Sequence, residues 1–168
     1  MLILSFDVGI KNLAYCLMDS DRNILDWGII NCEASNTTLK MIEELDSIDY
    51  LLSADTILIE KQPACNPKMR IISMALYVYF TIRILHEQER KANILFYPAK
   101  YKLKCCDEKF EFNVKSKYLK NKKLAVEHTK ILIKTHNEFF LKHKKKDDLA
   151  DCFLQGLSYI IYYLKKTS

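Results

Sequence analysis

Four carboxylates stand where packing alone has no use for them. Asp7 closes the apolar run Leu2–Phe6, and Glu60 closes the β-branched run that begins at Thr56. Each puts a charge where a buried strand prefers another hydrophobe. Asp148 and Asp151 lie three residues apart in a segment of helical periodicity, so they share one side of its first turns. Asp147 falls outside that register. If the first and fourth strands are neighbours, the four carboxylates converge, and such a cluster is stable at neutral pH only when cations neutralise it. Hard oxygen donors select Mg²⁺ or Mn²⁺, and the expected cofactor is a pair of such ions. Two metals of this kind activate water and stabilise a leaving oxygen in attack on a phosphodiester. Taken singly, the residues have plainer uses. Asp7 can cap a turn, Glu60 can pair with Lys61, and Asp147, Asp148 and Asp151 suit a helix N-terminus.

The charge distribution names a partner for such chemistry. Residues 1–60 carry three Lys/Arg against eleven Asp/Glu, whereas residues 91–146 carry sixteen Lys against five Asp/Glu. The basic stretch is interleaved with Tyr97, Tyr101, Phe110, Phe112 and Tyr118, which is how a surface that follows a phosphate backbone reads. A solvated lysine-rich face would show the same excess. Nucleic acid is the leading partner class.

The elements that must position these groups follow from hydrophobic periodicity. Met1–Phe6, Asn12–Met18 and Ile24–Cys32 read as three strands joined by tight turns at Gly9 and at Asp19–Asn23, hence an antiparallel meander. Ser35–Leu52 has the spacing of an amphipathic helix. The run from Thr56 to Glu60 fits a central strand parallel to the first. From Pro67 to about Glu89 a long helix is apolar around most of its girth, which demands cover on more than one side. A fifth strand from Asn93 stops at Pro98, Lys117–Lys134 reads as a helix, and the last helix spans about Asp147–Leu164. The fold class is α/β: a five-stranded mixed sheet, made of a three-strand meander and two parallel strands, with helices on both faces. The whole chain, residues 1–168, is expected to form one domain.

Composition excludes several classes. Cys16, Cys32, Cys65, Cys105, Cys106 and Cys152 show no CxxC spacing, and His86, His128, His136 and His143 supply no paired ligands, so reduced cysteines and no zinc site are expected. The N-terminal apolar run lacks a basic leader and no later run is expected to reach membrane-spanning length. A soluble, unsecreted protein is expected. An actin or sugar-kinase type ATPase also uses a DxGxxN turn after a strand, but that fold duplicates the domain and needs about twice this length.

Four motifs in order then carry a resemblance: DVGIKN at Asp7–Asn12, LIEKQ at Leu58–Gln62, YPAKYK at Tyr97–Lys102 and KKDDLADCFLQG at Lys145–Gly156. Together they resemble the Holliday-junction resolvases of the ribonuclease H-like superfamily, above all the poxvirus and fungal mitochondrial ones, with bacterial RuvC more distant. The resemblance implies a homodimeric, Mg²⁺-dependent endonuclease that makes paired nicks in four-way and branched DNA during recombination and the resolution of viral replication intermediates. It implies metal ligands at Asp7, Glu60, Asp148 and Asp151, and an active-site lysine at Lys102. It gives the helix from Pro67 to Glu89 the role of a dimer seam and, for a virus, a place in the host cytoplasm. Lys100, Lys104, Lys115, Lys117, Lys120, Lys122 and Lys123 are the candidate DNA contacts, while the segment Cys105–Tyr118 matches nothing residue by residue. Two alternatives share parts of this pattern: a ribonuclease H-like enzyme that cuts RNA in hybrids, and a DNA-binding module without catalysis.

Overall fold

The computed structural model describes residues Met1–Leu164. Strands β1 (Leu2–Asp7), β2 (Asn12–Asp19) and β3 (Ile24–Asn31) form the antiparallel meander. Gly9 turns the chain between the first two. A Cβ there would lie 2.2 Å from the Asn12 carbonyl oxygen, so only glycine fits this return. β4 (Thr56–Glu60) pairs parallel with β1, and β5 (Asn93–Tyr97) pairs parallel with β4, giving the sheet order β3-β2-β1-β4-β5. The register sets Phe6 beside Ile59, so Asp7 and Glu60 emerge side by side at the C-terminal edge of two neighbouring strands.

The two faces of the sheet bury separate cores. On one, α1 (Thr37–Asp46) and α2 (Pro67–Phe80) cover Leu4, Phe6, Leu13, Ile57 and Ile59. On the other, α3 (Lys117–Leu132), α4 (Asn137–Lys142) and α5 (Lys146–Tyr162) cover Ile3, Ala14, Cys16, Met18 and Leu58. The alternation along β1 and β4 divides their side chains between these cores. All six cysteines are free, with Cys16, Cys32 and Cys152 buried.

Several expectations need correction. The helix expected over Ser35–Leu52 ends at Asp46, where Ser47 turns its hydroxyl onto the Glu44 carbonyl, and the chain resumes as a 3₁₀ turn over Asp49–Ser53. Asp and Ser compete with the helix backbone in this way. α2 does run on to Glu87, but as a π-helix over Thr81–Glu87. Thr81 Oγ1 donates to the Tyr77 carbonyl at 2.7 Å at the point where the winding changes. Contrary to the expectation that no run reaches membrane-spanning length, Pro67–Glu87, with 21 residues, suffices by length and composition alone. Ile72, Leu76, Phe80 and Ile84 nevertheless lie buried on the sheet. α4 has only six residues, too few to show a period in the sequence.

Candidate active site

The cleft opens where the C-terminal ends of β1 and β4 meet the start of α5. It has a volume of about 370 Å³ and is lined by Asp7, Glu60, Lys102, Lys122 and Asp151, with Gln62, Asn66 and Asn121 among its neutral walls. Lys102 lies on a 3₁₀ turn, Ala99–Lys104, that follows β5 and Pro98. Its side chain is only 5% exposed and its ammonium sits among three carboxylates. Nζ donates to Glu60 Oε1 at 2.8 Å and to Asp7 Oδ1 at 3.3 Å, and stands 3.7 Å from Asp151 Oδ1.

This arrangement sorts the charges. Burial raises the Asp7 carboxyl well above the usual range, the Lys102 charge pulls it back, and Glu60 and Asp151 push it up again. Burial works on Glu60 too, but the charge and hydrogen bond of Lys102, with a further bond from Gln62 Nε2 at 3.0 Å, hold it below its ordinary value. Burial raises Asp151, against the pull of Lys102. Burial disfavours the Lys102 charge, but Asp7, Asp151 and Glu60 more than compensate and keep it protonated.

Three of the four expected carboxylates therefore meet, and the fourth does not join them as they stand. Asp148 faces Lys122 of α3, whose Nζ lies 3.8 Å from Asp148 Oδ1 and donates to Asp147 Oδ2. Burial and the neighbouring Asp147 charge raise Asp148. Asp147, pushed up by burial, is brought below its usual value by the Lys122 bond. The reason is positional: Asp147 and Asp148 open α5 beside α3, whereas Asp151 lies one turn further in, against the sheet. Among the described residues no three Asp, Glu, His or Cys side chains are gathered tightly enough to hold a metal ion, because an ammonium occupies their centre. The donor chemistry itself fits a hard divalent cation, which takes carboxylate oxygens.

The expected DNA-contacting lysines spread from the cleft across α3 and the 3₁₀ turn. Lys115, Lys117, Lys120 and Lys123 are exposed, Lys122 lines the cleft, and Lys100 and Lys104 flank the Tyr101 ring at 4.9 and 5.7 Å. The unplaced segment before α3 has no regular structure over residues 107–114. His128 Nε2 meets the Glu108 carbonyl at 2.9 Å and ties it to α3. Sequence reasoning missed Gln62, the Lys122 pairing and Gln155. Only the last had a visible signal, a polar residue on the apolar side of the final helix.

A meander extended by two parallel strands, with acidic side chains at the ends of β1 and β4 and on the helix that crosses them, defines a ribonuclease H-like fold. The chain belongs to the family described as Poxvirus A22 protein, which it matches over residues 1–163. Curated relatives include an uncharacterized protein of Acanthamoeba polyphaga mimivirus, 33% identical over 77% of this chain and 34% of its own length. The chain thus spans about a third of that relative. The Holliday junction resolvase of Fowlpox virus (strain NVSL) is 28% identical over 99% of this chain and 96% of its own. Among solved structures, the Fowlpox virus resolvase in complex with substrate Holliday junction DNA has a TM-score of 0.64 at 21% identity, covering 98% of this chain and 99% of that one. Thermus thermophilus RuvC with a Holliday junction substrate has a TM-score of 0.66 at 13% identity, covering 99% and 97%.

Proposed function

We propose that this protein is a Holliday junction resolvase, a crossover junction endodeoxyribonuclease that hydrolyses phosphodiester bonds in four-way and branched DNA. The observation that carries the reading is the carboxylate cleft itself, in a chain of this family and similar along nearly its whole length to a junction resolvase. The nuclease is metal-dependent. Asp7, Glu60, Asp148 and Asp151 would hold a pair of Mg²⁺ or Mn²⁺ ions, which when bound supply an activated water and stabilise the leaving oxygen. Asp7 and Glu60 offer their carboxylates from rigid strand ends, so these two groups are held side by side before the scissile phosphate arrives. Lys102, released from its carboxylate partners, turns a buried positive charge toward the phosphate oxygens. Lys122 binds Asp147 and stands beside Asp148, and Asp148 would turn from it to join Asp151 when the metals bind.

The protein acts as a homodimer. Ile71, Met74, Val78, Ile82 and Leu85 are 39–63% exposed on the outer side of Pro67–Glu87, a stripe that a second copy would cover. A two-fold pair of sites suits a junction of approximate two-fold symmetry. Lys100, Lys104, Lys115, Lys117, Lys120, Lys122 and Lys123 supply the phosphate contacts, and a viral protein of this kind works in the host cytoplasm. The test is incubation with Mg²⁺ and either a synthetic four-way junction or an RNA–DNA hybrid of equal length. The reading expects cleavage of the junction; preference for the hybrid would replace it with the ribonuclease alternative, and binding without cleavage with the DNA-binding module.

A further inference from the structure

α5 carries both of the expected helical carboxylates, so its axial position on the sheet decides where they stand relative to Asp7 and Glu60. Here the contact is not purely apolar. Asp151, Gln155 and Ser158 succeed one another at four- and three-residue steps and form a polar stripe on the side that faces the strands, while Asp148, three residues before Asp151, stands at its edge and faces Lys122. Gln155 is fully buried. Its Nε2 donates to the Phe6 carbonyl and to Ser5 Oγ, both at 3.0 Å, and lies 3.3 Å from the Leu58 carbonyl. Phe6 precedes Asp7, and Leu58 stands two residues before Glu60. The amide orientation is fixed chemically, because a reversed amide would set its oxygen against two carbonyl oxygens. Its Oε1 is buried with no hydrogen-bond partner among the described residues, a cost accepted for the donor side.

The neighbouring glycine makes the reach possible. A Cβ on Gly156 would stand 2.8 Å from Met18 Cε and 3.3 Å from Ser5 Cβ, so even a methyl group there would require the end of the Met18 side chain to move. Ser158 continues the contact one turn further on, its hydroxyl 3.1 Å from that of Tyr97 in β5.

We propose that Gln155 is a positioning residue for the metal site: it sets the axial register of α5 against β1 and β4, and so the placement of Asp151 and Asp148 relative to Asp7 and Glu60. The proposal rests on the metal-dependent reading above and deepens it. Gln155 touches neither substrate nor metal; one helical turn away from Asp151, it fixes the strand backbones that carry the other two ligands. Outer contacts that orient ligands without binding the metal are worth about ten- to a hundredfold in affinity.

The test compares Gln155→Met, which keeps length and volume but loses the amide, with Ser158→Ala, which loosens the same helix on the side away from the carboxylates. Mn²⁺ binding is followed by calorimetry on the dimer without DNA, and junction cleavage is measured over a Mn²⁺ series at saturating junction. Gln155→Met is expected to weaken Mn²⁺ binding about tenfold or more and to raise the metal concentration for half-maximal cleavage in parallel. Junction affinity should stay within about twofold. Ser158→Ala should lower the melting temperature with no change in metal affinity. Gln155→Asn, which retains the amide on a shorter arm, guards against a misfolded Met variant and should fall between it and the wild type. Equal metal affinity in folded Gln155→Met or Gln155→Asn and the wild type would overturn the proposal. A wild type that binds Mn²⁺ but does not cut junctions would instead overturn the functional reading and leave the positioning role measurable by calorimetry.

Discussion

The two long apolar helices of this protein treat their surroundings differently. α5 finds its partners within its own chain: eleven of its residues are buried, and polar anchors reach it from β1, β3 and β4. α2 and its π-helical continuation bury one side on the sheet and leave a row of large apolar side chains in solvent. Apolarity alone therefore does not tell a helix that its own protomer covers from one that it leaves open on one side. What separates them is where the polar groups lie. On α5 they point inward, toward the strand ends and the cleft. On Pro67–Glu87, Arg83 reaches out to Asp46 at 2.8 Å and to Glu87 at 3.0 Å, and the open apolar stripe lacks a cover within the described protomer.

The comparison breaks most sharply at Asp151. Asp151→Asn should lower the single-turnover cleavage rate by at least about a thousandfold, with junction binding within about twofold, because the lysines supply the affinity. Parallel loss of both in a gel-shift and cleavage comparison would place Asp151 in structure and not in chemistry. On the other helix, Val78→Glu should leave the protomer folded, since this side chain is already exposed, but put an uncompensated charge into the proposed dimer seam. A cost of about 3 kcal/mol corresponds to about a hundredfold in the dimer Kd. Light scattering should show monomer at concentrations where the wild type is dimeric. Unchanged mass would remove the seam from α2.

The lysines of α3 form a third, looser region. Replacing Lys117, Lys120 and Lys123 by alanine should reduce the slope of log affinity against log salt by about 0.9 for each lysine that touches a phosphate. A fluorescence titration across salt concentrations counts those contacts.

The smallest effect is on stability. Because burial raises Asp7, the metal-free fold keeps this proton to a higher pH than the unfolded chain does. The Asp7 contribution is therefore fully present below its unfolded value near 3.8 and is lost as pH rises through the raised folded value. Asp7→Asn removes this penalty while Glu60 and Asp151 still surround Lys102. In chelator at neutral pH it should melt about 2 to 4 °C above the wild type, a shift worth about 1 kcal/mol in a chain of this size. The gap should narrow as pH falls. A lower melting temperature for the variant at every pH would contradict the burial argument.

Much of this was legible in the sequence for identifiable reasons. Asp7 and Glu60 were visible because a carboxylate at the end of an apolar strand has no packing role, and the Gly9 turn because the strands on either side show no other break. Asp148 and Asp151 were visible as a same-face pair, but their separation into two environments was not: it depends on Lys122, which looks like any other lysine of α3 until the helices pack. Lys102 came only with the family resemblance, since nothing local distinguishes it from Lys100 and Lys104. The break at Asp46, the π-winding after Phe80 and the six-residue α4 are set by side-chain bonds and packing that periodicity does not register. Gln155 escaped because its one signal, a neutral amide on the apolar side of the final helix, carries no charge and does not by itself mark a site.

Two carboxylate clefts paired through α2 should cut a junction in concert. This is tested most directly on a supercoiled plasmid that extrudes a cruciform, incubated with the protein and Mg²⁺. Paired incision within one binding event converts supercoiled DNA straight to linear product, and that is the predicted result. Accumulation of nicked circles with linear DNA arising only from them would contradict the account.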